Sequence, residues 1–163
     1  MRSVIAVYVE NKYGVLTRVS GLFMRRGFNI DSLTVGETDD PKFSRITITL
    51  NGDDYAREQL INQLKKLHNI KQVKLLESGS SVERELMLIK VANTAETRSE
   101  IMAAVEIYRA KIIDYTTAAL CIEVTGEPSK INAFIEVLKP LGIIEMCRTG
   151  VVALERGGSI MEK

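Results

Sequence analysis

Apolar residues occupy both alternate sets of positions in the opening stretch from Arg2 to Val9, the mark of a strand with two buried faces. Asn11-Lys12-Tyr13-Gly14 then turns the chain. Val15, Leu16, Val19, Leu22 and Phe23 recur at the i, i+3, i+4, i+7 spacing of one buried helix face, with Thr17, Arg18, Arg25 and Arg26 largely on the wet side. Gly27 suits a left-handed cap at the end of that helix. Asn29 to Val35 reads as a strand, and Asp39-Asp40-Pro41-Lys42 as a turn. Ser44 to Leu50 alternates polar and apolar residues with period two, so the pair predicts an antiparallel hairpin with one wet face. Asn51-Gly52-Asp53-Asp54 supplies a loop and an N-cap for a second amphipathic helix. That helix carries Leu60, Leu64 and Leu67, is flanked by Ile61, and ends at His68, while Ile70 to Leu76 predicts a fourth strand.

Glu77-Ser78-Gly79-Ser80-Ser81 interrupts this order with small polar residues and is the best linker in the chain. The same order then returns. Leu86 to Val91 predicts a strand, and Thr97 caps a helix with Ile101, Met102 and Val105 inside. Lys111 to Tyr115 and Leu120 to Thr125 form a hairpin. Pro128 suits the first turn of a helix on which Ile131, Phe134, Ile135 and Leu138 keep helical spacing, until Lys139-Pro140-Leu141-Gly142 breaks it. Short strands follow at Ile143 to Cys147 and Val151 to Leu154. The chain is thus two βαββαβ units, residues 1–77 and 83–163, joined by a linker at 78–82, and the second unit carries an extra terminal strand. Units of about 80 residues have small cores and uncovered sheet faces and edges, which homo-oligomerisation would cover.

Composition narrows the function mainly by exclusion. Of 163 residues, 45% are apolar and 26% charged, the balance of a globular protein. Twenty-two Lys and Arg against 21 Asp and Glu leave a formal net charge of +1, with no one-signed block for nucleic acid or a membrane surface. No apolar run approaches the ~20 residues that span a bilayer, and no leader is visible, so the expected location is the cytoplasm. Cys121 and Cys147 lack C-x-x-C spacing and lie in apolar contexts, which predicts inert core thiols in a reducing compartment. No zinc, P-loop or dinucleotide spacing occurs. The single histidine, His68, suits a helix C-terminus for dipole reasons, and the pairs Asp39-Asp40 and Asp53-Asp54 read as solvated turn and cap residues. No catalytic residue and no metal ligand is predicted.

The informative stretch is the first strand-to-helix turn. Gly14 stands at a helix start, where free N–H groups and the positive end of the dipole can hold a small carboxylate. Asn11 offers a donor and an acceptor at the same mouth. Gly27-Phe28-Asn29-Ile30 repeats the combination of flexible turn, amide and apolar residue. A ligand with carboxylate, ammonium and short aliphatic tail would suit these loops; equally, the glycines could simply permit the turns and the asparagines cap them.

At these residues the sequence resembles a known family. Glu10-Asn11-x-x-Gly14-x-Leu16-x-Arg18-Val19-x-Gly21-Leu22-Phe23-x-x-Arg26-Gly27-x-Asn29-Ile30-x-Ser32-Leu33-Thr34-Val35 is similar to the signature of the small, regulatory subunit of acetolactate synthase, also called acetohydroxyacid synthase. The resemblance continues through Thr38, Asp40 and Ser44-Arg45, through Val82-Glu83-Arg84-Glu85-Leu86-Met87-Leu88, and to Arg148-Thr149-Gly150-Val151, essentially the whole chain. It implies an α+β architecture of two ferredoxin-like βαββαβ domains, an N-terminal ACT domain and a C-terminal ferredoxin-like domain. It further implies a branched-chain amino acid effector, usually valine, bound between ACT domains of two chains. The matching positions are Asn11 and Gly14 from one chain and the Asn29-Ile30 segment of the other. Val15 and Leu16 belong to the first turn, and Val35 and Gly36 lie close through the second strand. Gly36-Glu37 departs from relatives that often place a proline after a small residue there, which bears on effector choice.

By the same resemblance the thiamine diphosphate, flavin (FAD) and magnesium (Mg) belong to a separate large catalytic subunit, which condenses pyruvate with pyruvate or 2-ketobutyrate. This chain would bring no cofactor and act as activator and feedback sensor in valine, leucine and isoleucine synthesis, as a homodimer or higher assembly. Two rival classes share the architecture. RNA-binding modules need aromatics on the central strands, where this chain has Ile46, Ile48 and Leu50 with Thr47 and Thr49 opposite. Small phosphatases need a loop arginine, and the first loop has Asn11 but no arginine.

Overall fold

In the computed structural model, which describes residues 1–161, the opening stretch forms β1 (Arg2–Glu10). Ile5, Val7 and Val9 enter one apolar cluster, and Val4, Ala6 and Tyr8 another on the reverse face. Then come α1 (Val15–Arg26), β2 (Ile30–Glu37), β3 (Phe43–Asn51), α2 (Asp54–Lys65) and β4 (Ile70–Leu76). The strands form one antiparallel sheet in the order β2-β3-β1-β4. Gly27 closes α1 at φ 67°, its N–H donating to Phe23 O, and Asp53 caps α2 by accepting from Ala56 N at 2.7 Å. Val15, Val19, Leu22 and Phe23 pack with Leu60 and Leu64 onto the β1 and β3 core residues. Each fully buried Leu or Phe contributes roughly 2 kcal/mol.

The chain divides into two compact units, Met1–Val82 with the segment from Val151 onward, and Glu83–Gly150. The second begins within β5 (Ser81–Ala92) and continues through α3 (Arg98–Ile107), β6 (Lys111–Tyr115), β7 (Ala119–Gly126), α4 (Pro128–Leu138), a 3-10 turn at Lys139–Leu141 and β8 (Ile143–Arg148). Its strand order, β6-β7-β5-β8, repeats that of the first unit. Met87, Ile89 and Val91 of β5 and Leu120, Ile122 and Val124 of β7 face Ile131, Phe134 and Leu138 of α4 in a core of its own. Both units therefore have the expected βαββαβ order.

Several expectations change. The segment after Val151 belongs to the first unit, not the second: β9 (Val152–Glu155) lies there, and Arg156 N donates to Ser80 O at 2.8 Å. Val151, Ala153 and Met161 cover Val4, Ala6, Tyr8 and Leu76. The face expected to be wet is consequently buried, Thr47 and Thr49 included at 3% and 2% exposure. Residues 162 and 163, which the sequence assigns to the second unit, lie outside the described residues. Ser81 and Val82, expected in the linker, start β5, and Glu77 O accepts from Ser80 N and Ser81 Oγ to make a tight turn.

Leu16, expected on the buried face of α1, is exposed, because it stands at the rim of the first turn. On α3 the buried residues are Ile101 and Ala104, and Met102 is turned outward. α2 ends at Lys65, so Leu67 and an exposed His68 lie in the turn beyond it rather than on the helix. Cys147 is exposed and Cys121 half-buried. They sit opposite Leu88 and Lys90 on the sheet face away from the α3–α4 core, and so neither is a core thiol.

Candidate functional site

The β1-to-α1 turn is held from below by Glu10. Its carboxylate accepts from Asn69 Nδ2 at 3.0 Å and pairs with Lys12 at 2.8 Å and Lys71 at 2.9 Å. These three donors pull the Glu10 pKa down to about 2. Asn69, itself buried, accepts from Arg18 Nη1 of α1 at 2.6 Å, and its main-chain oxygen accepts from Glu10 N at 2.9 Å. Strand end, helix and the α2–β4 turn are thereby tied at one point. Neither Glu10 nor Asn69 was singled out as a site residue by spacing, since the partners lie 59 residues apart.

Above this base, Gly14 takes the N-cap position at φ 80°, a left-handed conformation that costs an L side chain about 1 kcal/mol. A glycine has no side chain to cap the helix, so the first turn of α1 is left without a side-chain acceptor. A small carboxylate can take that role. Asn11 lies beside it, with main-chain N donating to Lys42 O at 2.7 Å. Both protons of its amide are used, donating to Glu37 Oε1 and to Pro41 O at 3.0 Å each. Asn11 therefore presents its amide oxygen, an acceptor, rather than the donor and acceptor expected from the sequence. Together with the Glu37 carboxylate it makes a negative edge suited to an ammonium group, one turn from the positive end of α1. Asn11, Lys12 and Tyr13 border an open depression of about 510 Å³. Val15 is buried beneath the turn, and Leu16 is 45% exposed, an apolar surface at its rim.

The remaining expected residues fall into two groups. Val35 and Gly36 lie at the Asn11 end of the sheet: Gly36 pairs with Arg45 and Glu37 with Ser44, which pairs in turn with Val9. Asn29 and Ile30 lie at the other end, where Ile30 pairs with Leu50 and Leu50 with Ser3. The six steps from Ser3 to Val9 span about 20 Å at roughly 3.3 Å per residue. One chain does not bring the two groups together. β2, which carries Ile30, Val35 and Gly36, is an edge strand of its sheet.

Among the described residues no group of three or more His, Cys, Asp or Glu side chains is placed to hold a metal ion. Among the same residues no helix is long and apolar enough to cross a membrane.

Residues 5–72 match the model of the AHAS small subunit-like ACT domain, and residues 84–157 match that of the small subunit of acetolactate synthase. A probable acetolactate synthase small subunit of Archaeoglobus fulgidus is 52% identical, over 96% of this chain and 98% of its own. The small subunit of isozyme 3 of Salmonella typhimurium is 44% identical, over 99% of each chain. The crystal structure of the acetolactate synthase small subunit from Thermotoga maritima superposes with a TM-score of 0.89 at 42% identity, covering 98% of this chain and 99% of that one. With likeness of that extent, and an ACT-type unit whose first turn is built as described, the chain belongs to the family of acetolactate synthase small subunits, the regulatory, non-catalytic subunits of that enzyme of branched-chain amino acid biosynthesis.

Proposed function

We propose that this chain is the effector-sensing subunit of an acetolactate synthase. It binds a branched-chain amino acid, valine in the first instance, between the ACT domains of two copies, and makes the activity of the large catalytic subunit depend on that ligand. The observation that carries the reading is the separation of the two residue groups along the edge strand β2. If two copies pair antiparallel through β2, each strand end meets the other's start, so the partner subunit's Asn29 and Ile30 arrive beside Asn11, Gly14, Val35 and Gly36. Two equal sites result. The α1 N-terminus takes the carboxylate, Asn11 and Glu37 take the ammonium, and Leu16, Val35 and the partner subunit's Ile30 surround the aliphatic tail.

The thiamine diphosphate, FAD and magnesium belong in this reading to the large subunit, with which a small subunit of this family is partnered. The effector can control a distant centre only through different affinities for two states of the complex. The test is reconstitution. The isolated chain should not turn over pyruvate, whereas added to the large subunit it should raise the rate and render it inhibitable by valine. A large subunit equally active and equally valine-sensitive without this chain would refute the reading.

A further inference from the structure

A second cavity, of about 470 Å³, lies on the other side of the same sheet, under the terminal segment. Tyr8 of β1 and Arg45 of β3 form its floor, Glu37 its edge, and Leu154, Glu155 and Met161 its outer wall. Among the described residues the Tyr8 hydroxyl has no hydrogen-bond partner, although Tyr8 is only 4% exposed, and Arg45 Nε is likewise buried without one. The two residues are neighbours across the β1–β3 ladder, where Tyr8 pairs directly with Arg45. The rest of Arg45 is served by a neutral group, Nη2 donating to Ala153 O at 2.9 Å. Burial lowers its pKa, and the charge of nearby Glu155 opposes that shift. Glu155 lies near, but its Oε2 accepts from Lys74 at 2.6 Å and Ser159 at 2.7 Å, and Glu37 accepts from Asn11.

Two converging donors left unpaired in one cavity cost about 1–3 kcal/mol each, and a native fold retains such groups where something else completes them. From this juxtaposition we infer a second ligand site, in which a small aliphatic monocarboxylate accepts from the Tyr8 hydroxyl and Arg45 Nε and lays its short tail against Met161. Arginine has no acceptor, so the missing partner must supply one. A single negative charge fits and a phosphate does not, because Glu37, Asp39 and Glu155 border the same space. Since both polar atoms are closed to solvent, entry requires the outer wall to move.

The test uses the full chain and isobutyrate, which has the carboxylate and a branched tail but no ammonium group. In the Gly14→Asp variant, which weakens the effector site, isobutyrate should still bind by calorimetry and shift the ¹⁵N-resolved Arg45 Nε–H resonance. Tyr8→Phe, which deletes one oxygen and leaves the ring on Phe43, should weaken it about tenfold, as should replacing isobutyrate by neutral isobutyramide. The inference is overturned if the Arg45 signal does not move, if the amide binds as well as the acid, or if Tyr8→Phe and Arg45→Met both leave affinity unchanged. Because this readout is taken where the effector site is already weakened, it stands or falls separately from valine sensing.

Discussion

Arg148 grips Glu85 with two parallel hydrogen bonds, Nε to Oε1 at 2.7 Å and Nη2 to Oε2 at 2.8 Å, across 63 residues of sequence. Its third nitrogen donates to Asn132 Oδ1 of α4 at 2.9 Å. Next to this pair, Thr149 N donates to Leu86 O and Leu86 N to Thr149 Oγ1. Two stretches of the family signature, Glu83-Arg84-Glu85-Leu86 and Arg148-Thr149-Gly150, are thus one structural unit that fastens β8 to β5.

The two halves of this pair are unequal. The Glu85 side chain is 5% exposed and that of Arg148 31%. Arg148→Met leaves a carboxylate buried with no counter-charge and should lower stability by about 3 kcal/mol, whereas Glu85→Gln leaves a cation that water still reaches and should cost about 1 kcal/mol. Urea unfolding of both variants measures the difference; equal losses would mean that packing, not charge, holds the strand.

Elements whose signal is local were legible in the sequence. β4 has the bounds read from Ile70 to Leu76, and α4 buries the four residues its spacing singled out, Ile131, Phe134, Ile135 and Leu138. Gly27 takes the left-handed conformation that its place at the end of α1 suggested, and Gly14, read as the helix start, stands at the N-cap of α1. Signals that depend on distant partners were not. The period-two pattern of Ser44 to Leu50 predicts a wet face, but Val151 and Ala153, about a hundred residues on, bury it. Leu67 continues a leucine spacing past the point where Lys66 N bonds back to Gln63 O and Leu64 O and the helix has ended. At the site, the turn residues were legible, but the Glu37 carboxylate that fixes the Asn11 amide and the Glu10–Asn69 anchor beneath are contacts between separate loops.

The covered face leads to a second expectation. Ala153, 5% exposed, packs among Val4, Ala6 and Tyr8, while Leu154, 61% exposed, lies on the opposite side of the same short strand. Ala153→Asp should therefore destabilise the first unit by about 2–3 kcal/mol and speed hydrogen exchange along Val4 to Tyr8, while Leu154→Asp leaves both unchanged. Equal effects at the two positions would show that the segment is not seated on the sheet as described.

A third expectation concerns acid. Glu10 is held at about 2 by Lys12, Lys71 and Asn69, below the ordinary carboxylate value of 4.5. A carboxylate with a depressed folded pKa contributes stability that is fully present above the unfolded value and is lost as pH falls toward the folded one. The window therefore runs from about pH 4.5 down to about pH 2. Glu10→Gln should flatten the part of the acid-unfolding curve that lies in this window and leave stability near neutrality nearly unchanged in its pH dependence. An identical slope in the variant would deny Glu10 that role.

The last expectation tests whether the effector site is shared by two chains. Gly14→Asp sets a carboxylate where the ligand's own carboxylate must lie and forces a side chain onto a backbone at φ 80°, so valine should bind about 2 kcal/mol more weakly, roughly thirtyfold. Asn29→His, at the far end of β2, should do the same by replacing an amide with a ring, while Asp53→Asn, whose side chain still caps α2, should leave affinity alone. If each site takes Gly14 from one chain and Asn29 from the other, the two defective variants complement each other. In a mixed dimer one site collects both substitutions and the other collects neither. Random pairing at equal concentrations makes half the dimers mixed, so about a quarter of all sites regain full affinity. Calorimetry on the refolded mixture should show that fraction as a tight component absent from either variant alone. A mixture that binds no better than its components would place Asn29 outside the Gly14 site, and an unchanged affinity in both single variants would leave the turn a purely structural element.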